Sequence, residues 1–461
     1  MRRPSLTAVL TPAVLVLLTA LAACTPTGDD EPETGAPAES IESAEGAPPP
    51  ATGAATPAGE STPPHPSGLA ALTPPGGPNH ALADLFPPEQ AAGSMLDLAW
   101  RLYPALAEDA NFVFSPFVIS TGLASVVSAA EGQTAEELAV ALRFPPDRVL
   151  LPKGFSIVTG AVPTDPSPER AGFLAANALW GRRGLAFTTD FLTRARDDYG
   201  VQASVLDFST PGQAGNAIAA WTTSHAGIPF PILPPALLDR EDVLALTGQA
   251  AFRGHWLHPF IPRQSGVKPF WVTPDDSVGV PMMRTVDAMR YTWNWVVDVV
   301  EIPYVGAQLD LVAFLPRDRD GLPQVEAWLP DSLDAWLSRL EERHVDLMLP
   351  RVRIESGFAL TGMFRALGAE RVFDPNLAEL GDMVEEGGAA LTTAHHGASF
   401  DLNEQGSGVA DTSPHAAERL QGVRSNLFVF FHADHPFAFL LRDRAYGTPL
   451  LVGRFTKPPG E

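Results

Sequence analysis

Apolar residues in this chain recur at helical spacing through the first part of its foldable region and at strand spacing afterwards, and that order restricts the architecture. "MLDLAWRLYPAL" puts Met95, Leu98, Ala99, Leu102 and Leu106 on one helical face. Phe112 to Phe114 read as a short strand stopped by Ser115-Pro116, and a helix of small and apolar residues follows from Phe117 to Ala130. Thr134 with Glu137 fits a capping box that opens a third helix burying Leu138 and Leu142. "GFLAANALWG" (Gly172 to Gly181) then reads as a buried strand, with a helix around Phe191 to Tyr199. From "DVLALTGQAAFRGHW" onward the pieces are mainly strand-like: "WNWVVDVVEIPY", "LDLVAFLP" and "VDLMLPRVRI". Helices first and strands later is the pattern of an α+β domain, and no internal repeat is visible.

The 461 residues, 45% of them hydrophobic, can bury a large core. A net charge of −23, with only Lys153, Lys268 and Lys457 as lysines, argues against nucleic acid, whose phosphates need clustered cations. Arg2, Arg3 and the apolar run to Ala23 read as an export signal. Its end, Leu21-Ala22-Ala23-Cys24, resembles the bacterial lipobox, in which the cysteine is lipidated; an uncleaved membrane anchor is the alternative. Cys24 is the only cysteine, so no disulfide can form within the chain. Residues 25–80 hold 13 prolines, eight acidic residues and no lysine or arginine, too little apolar surface to offset ordering entropy. The expected organisation is a signal over 1–23, a tether over 24–81 spanning about 40 Å, and a folded domain over 82–461 that is itself acidic. The rest of the chain is expected outside the cytoplasm, at the cell membrane's outer face or secreted.

Asn403 to Gly422 is a polar stretch between strand-like segments, and a long loop inside a well-made domain is usually functional or disordered. Enzymatic readings fare poorly. Ser265 and Lys268 match S-x-x-K, yet the stretch is proline-flanked rather than a helix start, and no S-D-N or K-T-G follows. There is no G-x-S-x-G. Adjacent His395 and His396 would point to opposite faces of a strand, which disfavours a shared metal. His255 and His258 read as strand-end surface residues flanking a core tryptophan, Trp256. No metal and no cofactor are expected.

Six blocks in order resemble one family, the serpins, across nearly all of residues 90–458. They are "NFVFSPFVISTGLASVVSAAEGQTAEELAVAL", "FLAANALWGRRGLAFTTDFLTRARDDYG", "FRGHWLHPF", "VPMM", "VDLMLPRVRIESGFALTGMFRALGAERVFDP" and "FHADHPFAFLLRDRAYGTPLLVGRFTKP". The resemblance implies the serpin fold: N-terminal helices on a large mixed main sheet, two smaller sheets and an exposed reactive-centre loop. It also implies an inhibitor of extracellular serine proteases, or alternatively of cysteine proteases; the lipobox adds attachment to the membrane through a lipid anchor, and a monomer is expected. In that mechanism the loop is cut, and the acyl-enzyme is trapped as loop 404–425 enters the main sheet. Sixteen residues in β conformation span about 50 Å, enough to carry a protease from pole to pole.

Glu404, Gln405, Gly406 and Ser407 match the family's hinge. Counting forward from Glu404 points to cleavage at Leu420-Gln421; counting back from "HPF" moves it toward Gly422 to Ser425. Arg419, Leu420 and Arg424 are therefore the specificity candidates, Leu420 being favoured, for a trypsin-, chymotrypsin- or subtilisin-like partner. Trp256 matches the breach tryptophan, and Ser115 and His396 match the shutter beneath the main sheet. Gly248 and Val118 replace two further polar shutter residues, which implies a thinner network. In the family's register Ser407, Val409, Asp411 and Ser413 would face the core, so that Asp411 buries a carboxylate while Pro414 lacks a ladder donor. The alternative is thus a non-inhibitory serpin, whose loop is a substrate or whose body is a scaffold.

Overall fold

The computed structural model describes residues 86–107, 111–226, 238–385, 388–410 and 428–458. The signal, Cys24 and tether expectations lie outside them, as do Asp411 and the cleavage-site candidates Arg419, Leu420, Gln421 and Arg424.

Helix α1 (Pro88–Leu106) begins with proline in its first turn, where no backbone donor is needed, and buries the expected stripe of Met95, Leu98, Ala99, Leu102 and Leu106. Strand β1 (Phe112–Phe114) is buried throughout. Ser115 then caps α2 (Pro116–Val127), its hydroxyl accepting from Val118 N–H at 3.0 Å. Every residue of α2 is buried, as a helix of small and mostly apolar residues packed on all sides requires.

The expected capping box fails. Helix α3 (Gly132–Leu142) starts after Glu131, so Thr134 already lies inside it. Tertiary bonds claim both residues: Thr134 exchanges hydrogen bonds with Glu379, and Glu137 accepts from Glu370 and Arg371 N–H. Helix α4 (Leu151–Ala161) and strand β2 (Gly172–Arg182) follow. Helix α5 (Thr189–Tyr199) is capped by Thr188 and closed by Gly200 at φ +66°. Strand β3 (Val201–Leu206), helix α6 (Pro211–Ala226) and strand β4 (Leu244–His255) complete the helix-rich half.

The second half runs β5 (Gly266–Trp271), β6 (Ser277–Trp293), β7 (Val297–Pro303), β8 (Leu309–Pro316), helix α7 (Leu322–Ser338), β9 (Glu341–Pro350), β10 (Val352–Ala359) and helix α8 (Thr361–Ala366). Strands β11 (Leu391–Leu402), β12 (Gly406–Ser407), β13 (Val429–His432), β14 (Phe437–Asp443) and β15 (Pro449–Phe455) close the chain. "VDLMLPRVRI" is therefore two strands, divided at Arg351.

These strands make two sheets among the described residues. One is ordered β10-β11-β4-β2-β3 with β12 on β4; the other is β1-β15-β14-β8-β7-β6-β9-β13 with β5 on β6. The two smaller sheets expected from the sequence join into one nine-stranded sheet because β6, 17 residues long, belongs to both. Its first part pairs β5 and β9, and its last pairs β7.

In the six-stranded sheet β4 and β11 run parallel, with Leu244 opposite Leu391 and, after a bulge at Thr392, a continuous register from Ala245 opposite Thr393 to Ala250 opposite Ala398. Above that level the ladder between them stops. The chain leaving β11 doubles back, and β12 pairs antiparallel with the upper end of β4, Gly406 opposite His255 and Ser407 opposite Gly254. A cavity of about 480 Å³ lies just below, lined by Phe252, Arg253, Phe400, Asp401, Gly408 and Val409 among others. The sheet is closed below and parted above.

The candidate hinge and the sheet it meets

The turn after β11 is organised by Asn403. Its side-chain oxygen accepts from Gln405 N–H (2.9 Å), its amide nitrogen donates to Val409 O (2.7 Å), and its main chain exchanges bonds with Gly406. Such local amide bonding is why asparagine favours turns. Glu404 is 1% exposed, its carboxylate 2.8 Å from the Arg351 guanidinium, which satisfies a charge that burial would otherwise penalise. Glu404 O accepts from Phe260 N–H at 3.0 Å.

Trp256 locks this turn onto the sheet. Its backbone N–H donates to Gln405 O, and its indole N–H to Asn403 O, both at 2.9 Å. The ring stacks on Tyr304 with centroids 4.3 Å apart, and the Tyr304 hydroxyl lies 2.6 Å from Ser407 Oγ. Burial pushes the Tyr304 phenol well above its usual pKa, opposed by the Ser407 contact. It therefore stays a neutral hydrogen-bonding group. Trp256, expected in the core, is 1% exposed and also holds Asn403 and Gln405 of the turn, a role its position alone could not show.

Two glycines let the chain lie there. A Cβ on Gly406 would sit 1.9 Å from Gly254 O, so only glycine permits the strand so close. Gly408 adopts φ +62°, donates to Asp401 Oδ1 at 2.9 Å, and would place a Cβ 2.2 Å from Phe252 O. The chain thus turns out of the sheet immediately after Ser407. Burial raises the Asp401 pKa, opposed by the Gly408 N–H and by Arg353 and Arg253.

Lower down, Ser115 and His396 meet as expected: Ser115 N–H donates to His396 Nε2 at 2.8 Å. Burial drives the imidazole pKa down to about 3 despite the Gly248 backbone beside it, so His396 is a neutral acceptor. The polar network is not thinned in the way Gly248 and Val118 imply. Asn177 on β2 reaches into the space above Gly248, its Oδ1 2.7 Å from where a Gly248 Cβ would lie. Its amide donates to Val118 O (2.8 Å) and Thr121 Oγ1 (2.9 Å) on α2. Sequence reasoning missed Asn177, although a lone amide inside the buried run "FLAANALWG" was a usable signal.

The remaining candidates are structural. His395 faces away from His396 and contacts Thr393 Oγ1 at 2.9 Å, so the alternation argument against a shared metal holds. Among the described residues no cluster of His, Cys, Asp and Glu could hold a metal. His255 and His258 are half-buried rather than fully on the surface, and His258 pairs with Asp287 at 2.9 Å. Ser265 follows a single 3-10 turn and bonds back to Ile261 O, while Lys268 is exposed on β5. That is a strand's beginning rather than a nucleophile's helix.

Comparison with known proteins agrees with this arrangement. The family profile described as Serpin (serine protease inhibitor) matches residues 94–458. The bovine leukocyte elastase inhibitor is 28% identical over 386 residues, covering 80% of this chain and all of that protein. Sheep antithrombin-III is 30% identical over 294 residues, 62% of each chain. The crystal structure of Serpin48 from the insect Tenebrio molitor superposes with a TM-score of 0.71 at 23% identity, covering 81% of this chain and 98% of that one. The chain belongs to the serpin family.

Proposed function

We propose that this serpin inhibits an extracellular serine protease by offering residues 404–425 as bait and inserting them between β4 and β11 after acylation. The observation that carries the proposal is the hinge, where Gly406 and Ser407 already pair with β4 in antiparallel register. Continuing that register puts Val409 opposite Phe252, Asp411 opposite Ala250 and Ser413 opposite Gly248. A Cβ at Gly248 would face Val118 of α2, so this set of side chains points into the core. Ser413 would arrive beside His396, at the level where β11 now pairs Gly248. Insertion would trap the protease if dragging it deforms its oxyanion hole, without which the acyl-enzyme cannot be hydrolysed.

The same register supports a second reading, in which the loop is only a substrate. Asp411 would stand between Ala250 and Ala398, both almost fully buried, and Pro414 would stand opposite Thr247 without an N–H to give. We take inhibition as the primary reading because the hinge is glycine-fitted and already paired. In this proposal the protein is exported as a monomer, lipidated at Cys24 and tethered by residues 24–81. No helix among the described residues is long and apolar enough to cross a membrane.

The test is to mix the protein with trypsin, chymotrypsin, elastase and subtilisin, run denaturing gels, and locate the cut by mass spectrometry. An SDS-stable adduct cut at Leu420-Gln421 supports the proposal, while adducts cut after Arg419 or Arg424 would reassign the specificity residue. Clean cleavage between Ala416 and Ser425 by every protease, with no adduct, refutes inhibition.

A further inference from the structure

Away from the hinge, a second cavity of about 460 Å³ opens between α7, the loop after β5 and the last residues of β15. Its volume falls in the range of small-molecule sites. Val272, Leu322, Pro323 and Pro436 give it apolar walls, and Arg319, Arg454 and Lys457 supply cations against one acidic lining residue, Asp320. That ratio runs against the composition, which has 54 acidic residues to 31 lysines and arginines.

The cations are not equivalent. Arg454 is already paired with Glu326 at 3.0 Å. Arg319 is held in place by stacking over Trp271 (3.6 Å) and donating to Pro274 O (3.1 Å). Neither contact neutralises its charge. The Lys457 backbone is fixed by Asn111, which accepts from Lys457 N–H (3.2 Å) and donates to Lys457 O (2.6 Å). Arg319, held by its side chain, and Lys457, anchored at its backbone, thus place two exposed cations at the rim of an apolar cavity. Guanidinium and ammonium groups at such a rim favour a carboxylate head, and the walls favour an apolar body.

We propose that this cavity binds an amphipathic organic carboxylate, its anionic head at Arg319 and Lys457 and its apolar body against the apolar walls. The probe is 2-naphthoate, titrated by calorimetry into the full chain carrying Cys24→Ala to keep it lipid-free. Saturable 1:1 binding is expected, weakened at least tenfold in Arg319→Ala/Lys457→Ala. Both residues are exposed, so an unchanged melting temperature would show that the variant is folded. The uncharged analogue 2-naphthalenemethanol should bind at least tenfold more weakly than the carboxylate. Equal binding by the double variant, equal binding of the neutral analogue, or no saturation up to millimolar probe would each overturn the proposal. Tighter binding by a chain ending at Pro458 would also overturn it, making residues 459–461 the occupant.

Discussion

The Asp411→Ala substitution tests the insertion mechanism most directly, because the register on β4 fixes where that side chain would land. Opposite Ala250 and beside Ala398 it would meet two nearly fully buried methyl groups. An uncompensated ion there costs several kcal/mol. Neutralisation limits that cost: protonating a carboxyl of ordinary pKa, about 3.9, at pH 7 costs about 4 kcal/mol. Each unit of acidification removes about 1.4 kcal/mol, so the limit falls to about 1.5 kcal/mol at pH 5. If a third of the neutral-pH cost is felt at the transition state for insertion, insertion slows about tenfold. More acyl-enzyme is then hydrolysed before it is trapped. Asp411→Ala should therefore raise the fraction of protease caught as SDS-stable adduct at pH 7.5, and the advantage should shrink toward pH 5. Comparing variant with parent at each pH cancels the protease's own pH profile. The loop-cleaved variant should also melt about 5 °C above the cleaved parent, given the unfolding entropy of a domain this size. Identical partition ratios across that pH range would show that Asp411 never enters the sheet, and the register argument would fail with it.

Three further predictions concern the described residues. Gly408→Ala forces a left-handed conformation costing about 1–2 kcal/mol, besides the clash with Phe252 O, so amide exchange over residues 404–408 should quicken about tenfold; unchanged exchange would mean the turn does not hold the hinge. Tyr304→Phe leaves the buried Ser407 hydroxyl without its 2.6 Å partner, at about 1–3 kcal/mol. Adding Ser407→Ala should recover most of that loss in a double-mutant cycle on melting temperature. Asp310 is buried near Glu301, and burial foremost lifts its pKa to about 7 from 3.8, with nearby arginines opposing. The native state therefore holds a proton there that the unfolded chain has released, stability falls as pH rises from about 4 to 7, and Asp310→Asn should flatten that slope in chemical denaturation; a slope unchanged by the substitution would refute the assignment.

How much of this was legible depended on whether a residue's partners were near in sequence. The α1 stripe, β1, β2 and α5 follow from local periodicity and caps, and the structure realises them with boundaries shifted by a few residues at most. Thr134 and Glu137 carried the right local signature and the wrong meaning, because Glu379, Glu370 and Arg371 arrive from over 200 residues away and take their hydrogen bonds. Ser115 and His396 were found through resemblance, whereas Asn177, which fills the space left by Gly248, is seen only once β2 lies beside β4. Gly408 is similar. Its positive φ and its bond to Asp401 make it the point where the chain leaves the sheet, and both depend on Asp401 and β4 lying beside it.

The closed part of the six-stranded sheet also explains why a strand could enter it. Where β4 meets β11, the paired residues include Ala245, Gly248 and Ala250 on one side and Ala394, Gly397 and Ala398 on the other. Small side chains give few cross-strand contacts to break. The ladder there is parallel, with slanted and slightly weaker bonds than an antiparallel one. A strand continuing from β12 would run antiparallel to β4, and to β11 as well since those two are parallel. Insertion thus exchanges one parallel interface for two antiparallel ones and gains a ladder's worth of hydrogen bonds, each contributing about 1 kcal/mol net. On the proposed mechanism the native arrangement would then be a kinetic hold rather than the lowest state. In this account the hold sits at the Gly408 turn and the Trp256 clasp, whereas the depth reached is decided lower, where Asp411 meets Ala250. Hinge variants should accordingly change how fast the loop enters, and loop variants how far it goes.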